Sequence, residues 1–243
     1  MTDEMVGGQY RGWADRVADE MAKHSDNFTY ANLAIRGKLV NQVVTEQIPE
    51  ALKFVTGKDT LISFHAGAND ALRPGYDAAK TIGQYQAAVR TLAASGASLL
   101  LFTVLEDTGN KGKGSEIWKA RFSEFNRAIH EVGAEVGATV SDANGLDFFS
   151  DRRFLAFDRL HLNVEGHWRV SQGVLEVLGY PYDAAWRIPL PPAEPTPWIK
   201  ERATGVLWFA VFALPWIWRR LRGTSSGDGR TAKYPQPISW PRV

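Results

Sequence analysis

The sequence predicts an α/β domain built on a parallel sheet with helices on both faces. Three observations carry that prediction. Short apolar runs without alternation recur along the chain, the clearest being Ser98-Leu99-Leu100-Leu101-Phe102-Thr103. Segments with helical apolar spacing lie between them. Continuous apolar strands are those buried on two faces, and alternation of such strands with helices is the signature of a parallel sheet.

The elements follow in order. Trp13, Val17 and Met21 recur every four residues with Ala14 and Ala18 beside them, so Gly12 to His24 reads as an amphipathic helix. Phe28 to Ile35 is a short strand candidate, and Val40, Val43, Val44 and Ile48 form the next helical face. Thr60 to Phe64 is a buried strand that delivers Gly67-Ala68-Asn69-Asp70 at its carboxyl end. Tyr85, Val89 and Leu92 mark a helix that Gly96 stops, and the Ser98–Thr103 strand follows. A Gly/Lys loop from Gly109 to Gly114 leads to a helix carrying Phe122, Phe125 and Ile129. Thr139 to Asp142 is a short last strand, and Gly166 to Leu178 closes the domain as a helix. The domain so read covers residues 1–187.

Beyond it, residues 188–197 form a proline-rich, semi-rigid linker. Residues 198–222 read as an apolar or amphipathic helix, nearly all apolar from Ala203 to Trp218 and flanked by Lys200-Glu201-Arg202 and Arg219-Arg220-Leu221-Arg222. The sixteen residues from Ala203 to Trp218 give about 24 Å of helix, short of the ~20 residues that span a bilayer, and Pro215 interrupts it. Three readings stay open: docking on the domain or a second copy, lying in a membrane interface with Trp208, Trp216 and Trp218 at headgroup level, or a tilted span. Residues 223–243, rich in Gly, Ser, Pro and Lys, read as a disordered tail.

Composition bounds the function. With 243 residues, 44% hydrophobic and 23% charged, the chain has the make-up of a soluble globular protein. A net charge of +1 gives no field that would favour nucleic acid. Zero cysteines exclude disulfides, thiolate metal sites and a cysteine nucleophile. Met1-Thr2-Asp3-Glu4 has no basic and apolar leader, so the expected location is cytoplasmic, with membrane association left to residues 203–218.

The chemistry centres on Asp158-Arg159-Leu160-His161. A carboxylate three residues before a histidine can bond the imidazole, fix its tautomer and stabilise the imidazolium that forms when it takes a proton. Asp158 is also a candidate N-cap for the following helix. His161 with His167 and Asp158 makes a poor metal set, because histidines six apart share no helical face, and no metal is expected. Thr2 as an N-terminal nucleophile has no supporting residue, and Gly7-Gly8 lacks a phosphate-loop pattern.

Four blocks occur in order: Tyr10-Arg11-Gly12-Trp13-Ala14-Asp15-Arg16, Asn32-Leu33-Ala34-Ile35-Arg36-Gly37-Lys38, Gly67-Ala68-Asn69-Asp70, and Asp158-Arg159-Leu160-His161-Leu162-Asn163. Together they resemble the SGNH/GDSL hydrolase family of esterases and lipases, in its actinobacterial form, over about residues 9–180. The resemblance implies a three-layer flavodoxin-like sandwich with strand order 2-1-3-4-5. It also implies acyl-ester hydrolysis through a serine acyl-enzyme, with a small acyl ester as substrate and no cofactor. His161 would be the base and Asp158 its orienting carboxylate, while the Gly37 N–H and the Asn69 amide would form the oxyanion hole. Asp70 is expected to be structural.

The family's Gly-Asp-Ser block, on the first strand, has no counterpart upstream of Gly37. The chain is therefore expected to lack the first strand and the nucleophile, to be inactive as it stands, and to leave two strands facing a gap. Each buried unpaired backbone group there would cost ~1–3 kcal/mol. A competing class is a catalytically dead relative that keeps the pocket and binds a membrane or partner through its Trp-rich C-terminal helix.

Overall fold

A computed structural model describes residues 3–107, 113–142, 144–146, 151–222, 224–225 and 227–241. The Ser98–Phe102 strand, β5 below, sorts its side chains by parity and thereby builds the layers. Leu99 and Leu101 join Phe64, Tyr85, Val89, Leu92, Phe125, Ile129 and Val132 in one core. Leu100 and Phe102 join Val17, Val174 and Leu175 in a second. Successive strand residues point to opposite faces, so a strand apolar at every position demands cover on both sides.

In chain order, a hairpin of β1 (Met5–Val6) and β2 (Gln9–Tyr10) precedes α1 (Trp13–Met21) and β3 (Thr29–Asn32). Then come α2 (Val40–Gln42), a π-helical turn at Val43–Gln47, and α3 (Ile48–Leu52). Next are β4 (Leu61–Phe64), α4 (Ala68–Ala71), α5 (Ala78–Ala94) and β5. The domain continues with α6 (Lys113–Val136), β6 (Thr139–Ser141) and α7 (Val164–Leu178). Past the linker lie α8 (Trp198–Trp208), a π-helical turn at Phe209–Ala213, α9 (Leu214–Leu221) and β7 (Tyr234–Ser239).

Strands β4, β5 and β6 pair parallel in that order, with Leu61 opposite Ser98 and Leu100 opposite Thr139. Helices α5 and α6 pack together on one face, and α1 and α7 on the other. The α/β sandwich expected from the sequence is therefore the fold. The Gly/Lys loop expected over Gly109–Gly114 lies outside the described residues as far as Gly112, and Thr2 also lies outside them.

Three features depart from the expectations. The hairpin at Met5–Tyr10 was not anticipated; Gly7 and Gly8 turn it with φ of 57° and 79°, the positive pair that a type I′ turn requires. The edge of β4 away from β5 has no strand partner among the described residues, but β3 does not share the gap with it. Strand β3 pairs instead with β7, antiparallel, with Tyr30 opposite Ile238.

That pairing is the third departure, because β7 lies in the segment expected to be a disordered tail. Composition misled there. Tyr234, Ile238 and Trp240 fall at even spacing, and Tyr30, Tyr234 and Trp240 meet edge to face at 5.1–5.6 Å. Pro235 and Pro237 occupy alternate positions, whose N–H groups would point away from β3, so no ladder bond is lost. Lys233 bonds Asp15 and the Tyr10 carbonyl, and Trp240 Nε1 donates to Asp19 at 2.8 Å, which fastens the segment to α1.

His167, in the first turn of α7, uses its Nδ1 lone pair to accept the Trp13 N–H at the start of α1, at 3.2 Å. Burial drives its pKa down from 6.5 to about 4. The folded state thus binds this proton later than the unfolded chain does. The corresponding stability is full above pH 6.5 and is lost as pH falls from there toward 4. Urea midpoints measured at intervals from pH 7 to 4 should decline over that window, and His167→Gln should flatten the decline.

Candidate active site

The Asp158–His161 turn is folded by its own backbone. The Ala156 N–H donates to the His161 carbonyl at 2.7 Å and the Arg159 N–H to the Ala156 carbonyl at 2.9 Å. Leu155 and Leu162 form a bridge across its neck. Arg159 sits at φ 58°, a left-handed conformation that costs a non-glycine residue roughly 1–2 kcal/mol.

The Asp158 carboxylate fills the turn. One oxygen accepts from the N–H groups of Leu160 and His161 at 3.0 Å each, and the other meets His161 Nδ1 at 2.6 Å. Burial pushes the carboxyl up, yet those hydrogen bonds outweigh it and hold the pKa at about 2, below the ordinary 3.8. Asp158 is not the N-cap of α7. Asn163 takes that role, accepting from Gly166 N at 3.0 Å while its amide holds the Arg153 carbonyl at 2.7 Å.

Two other loops meet this turn. Gly37, at φ 78°, turns the chain between β3 and α2 in a conformation that favours glycine. Its neighbour Arg36 places a guanidinium nitrogen 3.5 Å from His161 Nε2. Arginine only donates, so Nε2 faces it as a lone pair and the proton sits on Nδ1, bonded to Asp158. The other neighbour, Lys38, offers its carbonyl to the Asn69 amide at 3.1 Å. Gly37 is thus flanked by one residue that reaches His161 and another that reaches Asn69. Of the four residues proposed from sequence, Asp158 and His161 touch directly, while Gly37 and Asn69 are linked to them only through the contacts of Arg36 and Lys38.

Asn69 rides on α4, which begins at Gly67 in a left-handed conformation, φ 100°. A Cβ at Gly67 would lie 2.2 Å from Phe125 Cζ, in the core. Asp70 is structural: it accepts the Val40 N–H at 3.0 Å and so caps α2 from across the site.

The C-terminal segment closes the arrangement by docking on the domain, one of the three readings left open by the sequence. Trp208 Nε1 donates to the Asp158 carbonyl at 3.0 Å, and Arg159 lies over the Trp208 ring at 4.9 Å. Phe212 meets Phe157 edge to face at 5.5 Å. Ser225 Oγ donates to the Gly37 carbonyl at 3.1 Å, and Gly227 packs on the Arg36 carbonyl. Arg36 and Trp208 were missed for the same reason: each acts through a partner more than a hundred or about fifty residues away, and no local pattern announces it.

Gly67→Ala should destabilise the fold by about 2–4 kcal/mol, combining overpacking against Phe125 with the unfavourable φ; chemical denaturation measures it. Trp208→Phe keeps the ring and removes the donor to Asp158. Amide exchange at Leu160 and His161 should then quicken about five-fold, the equivalent of ~1 kcal/mol for one hydrogen bond, while exchange in β5 stays unchanged.

The comparisons agree with the fold. Among solved structures, the psychrotrophic esterase EstA from Pseudoalteromonas sp. is 20% identical, with a TM-score of 0.54 over 69% of this chain and 86% of its own. Axe2, an acetylxylan esterase from Geobacillus stearothermophilus, is 14% identical, with a TM-score of 0.55 over 73% of this chain and 86% of its own. LAE5, an α/β hydrolase from the metagenome of Lake Arreo, is 15% identical, with a TM-score of 0.55 over 72% and 85%. At such identities the likeness is one of fold. Further Axe2 structures carry substitutions described as catalytic, at a serine, at an aspartate and at a histidine three positions after that aspartate. No curated protein matches the chain. A family model covers residues 1–169, well over half of the sequence, and the chain belongs to the GDSL-like lipase/acylhydrolase family.

Proposed function

We propose that these residues form the base, orienting acid and oxyanion hole of an ester hydrolase that works through a serine acyl-enzyme. The observation that carries this reading is the 2.6 Å bond from His161 Nδ1 to Asp158, which leaves Nε2 as the basic lone pair, faced at 3.5 Å by the Arg36 guanidinium that a hydroxyl would have to displace. Nε2 takes the proton of the attacking hydroxyl and returns it to the leaving alcohol. The ionised Asp158 stabilises the imidazolium between those two transfers. The Asn69 amide has two hydrogens; one holds Lys38, and the other is free to meet the oxyanion with the Gly37 N–H. The histidine three positions after an aspartate in Axe2 supports the same pairing here.

The substrate of this reading is a small acyl ester, and the reaction needs no cofactor. Residues 1–243 contain no Gly-Asp-Ser before Gly37, so the hydroxyl that His161 would activate is not assigned within them. We expect the 243-residue chain to lack acyl-transfer turnover, and a chain carrying a strand that ends in Gly-Asp-Ser ahead of Met1 to gain it. Hydrolysis of p-nitrophenyl acetate by the two chains is the test, and equal, measurable rates from both would overturn that expectation. In the active form, His161→Ala should lower kcat by at least about ten-thousand-fold and Asn69→Ala by roughly a hundred- to a thousand-fold. If neither chain turns over ester while both still fold, the binding-protein alternative takes its place.

A further inference from the structure

The helical stretch from α8 to α9 has two faces, and the site uses only one. Trp208 and Phe212 point inward to the Asp158 turn. The outward face is a row of exposed apolar side chains: Val206 at 66%, Leu207 at 54%, Val211 at 50%, Leu214 at 49% and Trp218 at 55% exposed. These positions recur at helical spacing, and no charged residue interrupts the sequence between Ala203 and Trp218. Scattered exposed apolar residues are ordinary, but a continuous stripe of this length marks a contact surface.

Charge decides what it contacts. Residues 198–222 hold five cations (Lys200, Arg202, Arg219, Arg220 and Arg222) and one acid, Glu201, giving +4 in a chain whose total is +1. The cations sit at both ends of the apolar stripe, and Arg222 lies over the Trp218 ring at 4.5 Å. A second copy of this helix would bring the same +4 against it, so charge opposes self-association. An anionic surface suits both the stripe and its ends. Among the described residues no helix is long and apolar enough to cross a membrane, so the stretch would lie on such a surface.

We propose that α8, the π-helical turn and α9 form a docking face for anionic lipid bilayers. Val206, Leu207, Val211, Leu214 and Trp218 enter the headgroup boundary there, and the flanking lysine and arginines meet lipid phosphates. The opposite face of the same helix holds the Asp158–His161 turn, so docking sets the candidate active site beside the lipid surface.

The test uses the whole chain and needs no turnover, so it stands or fails apart from the hydrolase reading. Co-sedimentation is measured with vesicles of neutral phosphatidylcholine and with vesicles containing a quarter phosphatidylglycerol. The protein is expected on the anionic vesicles, at least about ten-fold more strongly than on the neutral ones, with binding weakened by added salt. Quenching of tryptophan emission by bromine-labelled acyl chains should accompany it. Leu207→Glu with Leu214→Glu should lower binding by about ten-fold or more. Both positions are exposed, so circular dichroism should stay unchanged; if it does not, Lys200→Glu with Arg202→Glu provides the same loss without touching the stripe. No partition onto anionic vesicles, equal partition onto neutral ones, or a salt-independent dimer in sedimentation in place of vesicle binding would each overturn the proposal.

Discussion

The Asp158 carboxylate is the constraint on which the site's geometry rests. Its two oxygens take three donors from residues two and three positions ahead, two from backbone and one from the imidazole. Those bonds close a turn tight enough to hold Arg159 in a left-handed conformation, and a carboxylate with three donors keeps its charge at any ordinary pH. Everything outside the turn supports it. Asn163 fixes where α7 begins, Trp208 holds the Asp158 carbonyl, and Arg36 faces the far side of the ring. A rotation of the carboxylate would release the imidazole and two backbone N–H groups together, so the turn is either formed or absent.

Much of this was legible in the chain. Strand β5 announced itself because its five residues carry no charge and four of them in a row are apolar, and its parity reproduces the two cores. The Asp158–His161 pair was legible from its spacing, while Gly37 and Asn69 were proposed only through the family resemblance of their blocks. What escaped was mostly set by distant partners. Nothing near Trp208 indicates that its indole N–H is consumed fifty residues away. Asn163 could have been found, because an asparagine three residues before Gly166 has the spacing of a capping turn, but Asp158 drew the assignment. In β7, two prolines hid an even-spaced aromatic pattern that an edge strand tolerates.

The helical stretch over the site owes its shape to Pro215. Without an N–H, proline cannot complete an ordinary helical bond, and the wider turn at Phe209–Ala213 precedes it directly. The extra residue in that turn shifts the helix register where Phe212 meets Phe157. The inward row at Trp208 and Phe212 and the outward row at Val206, Leu207 and Leu214 lie on opposite sides of this stretch.

The strand that follows the helices gives them a mechanical character. A terminal helix is ordinarily a cantilever, held at one end and free to swing. Here Arg153 holds the Pro191 carbonyl before the stretch, and β7 returns to β3 after it. The helices form a bridge with both abutments in the domain. Between those abutments the helices are held on the domain by Trp208 against Asp158 and Arg159 and by Phe212 against Phe157. The contacts that carry a load from the outer face to the Asp158 turn are therefore those of Trp208 and Phe212.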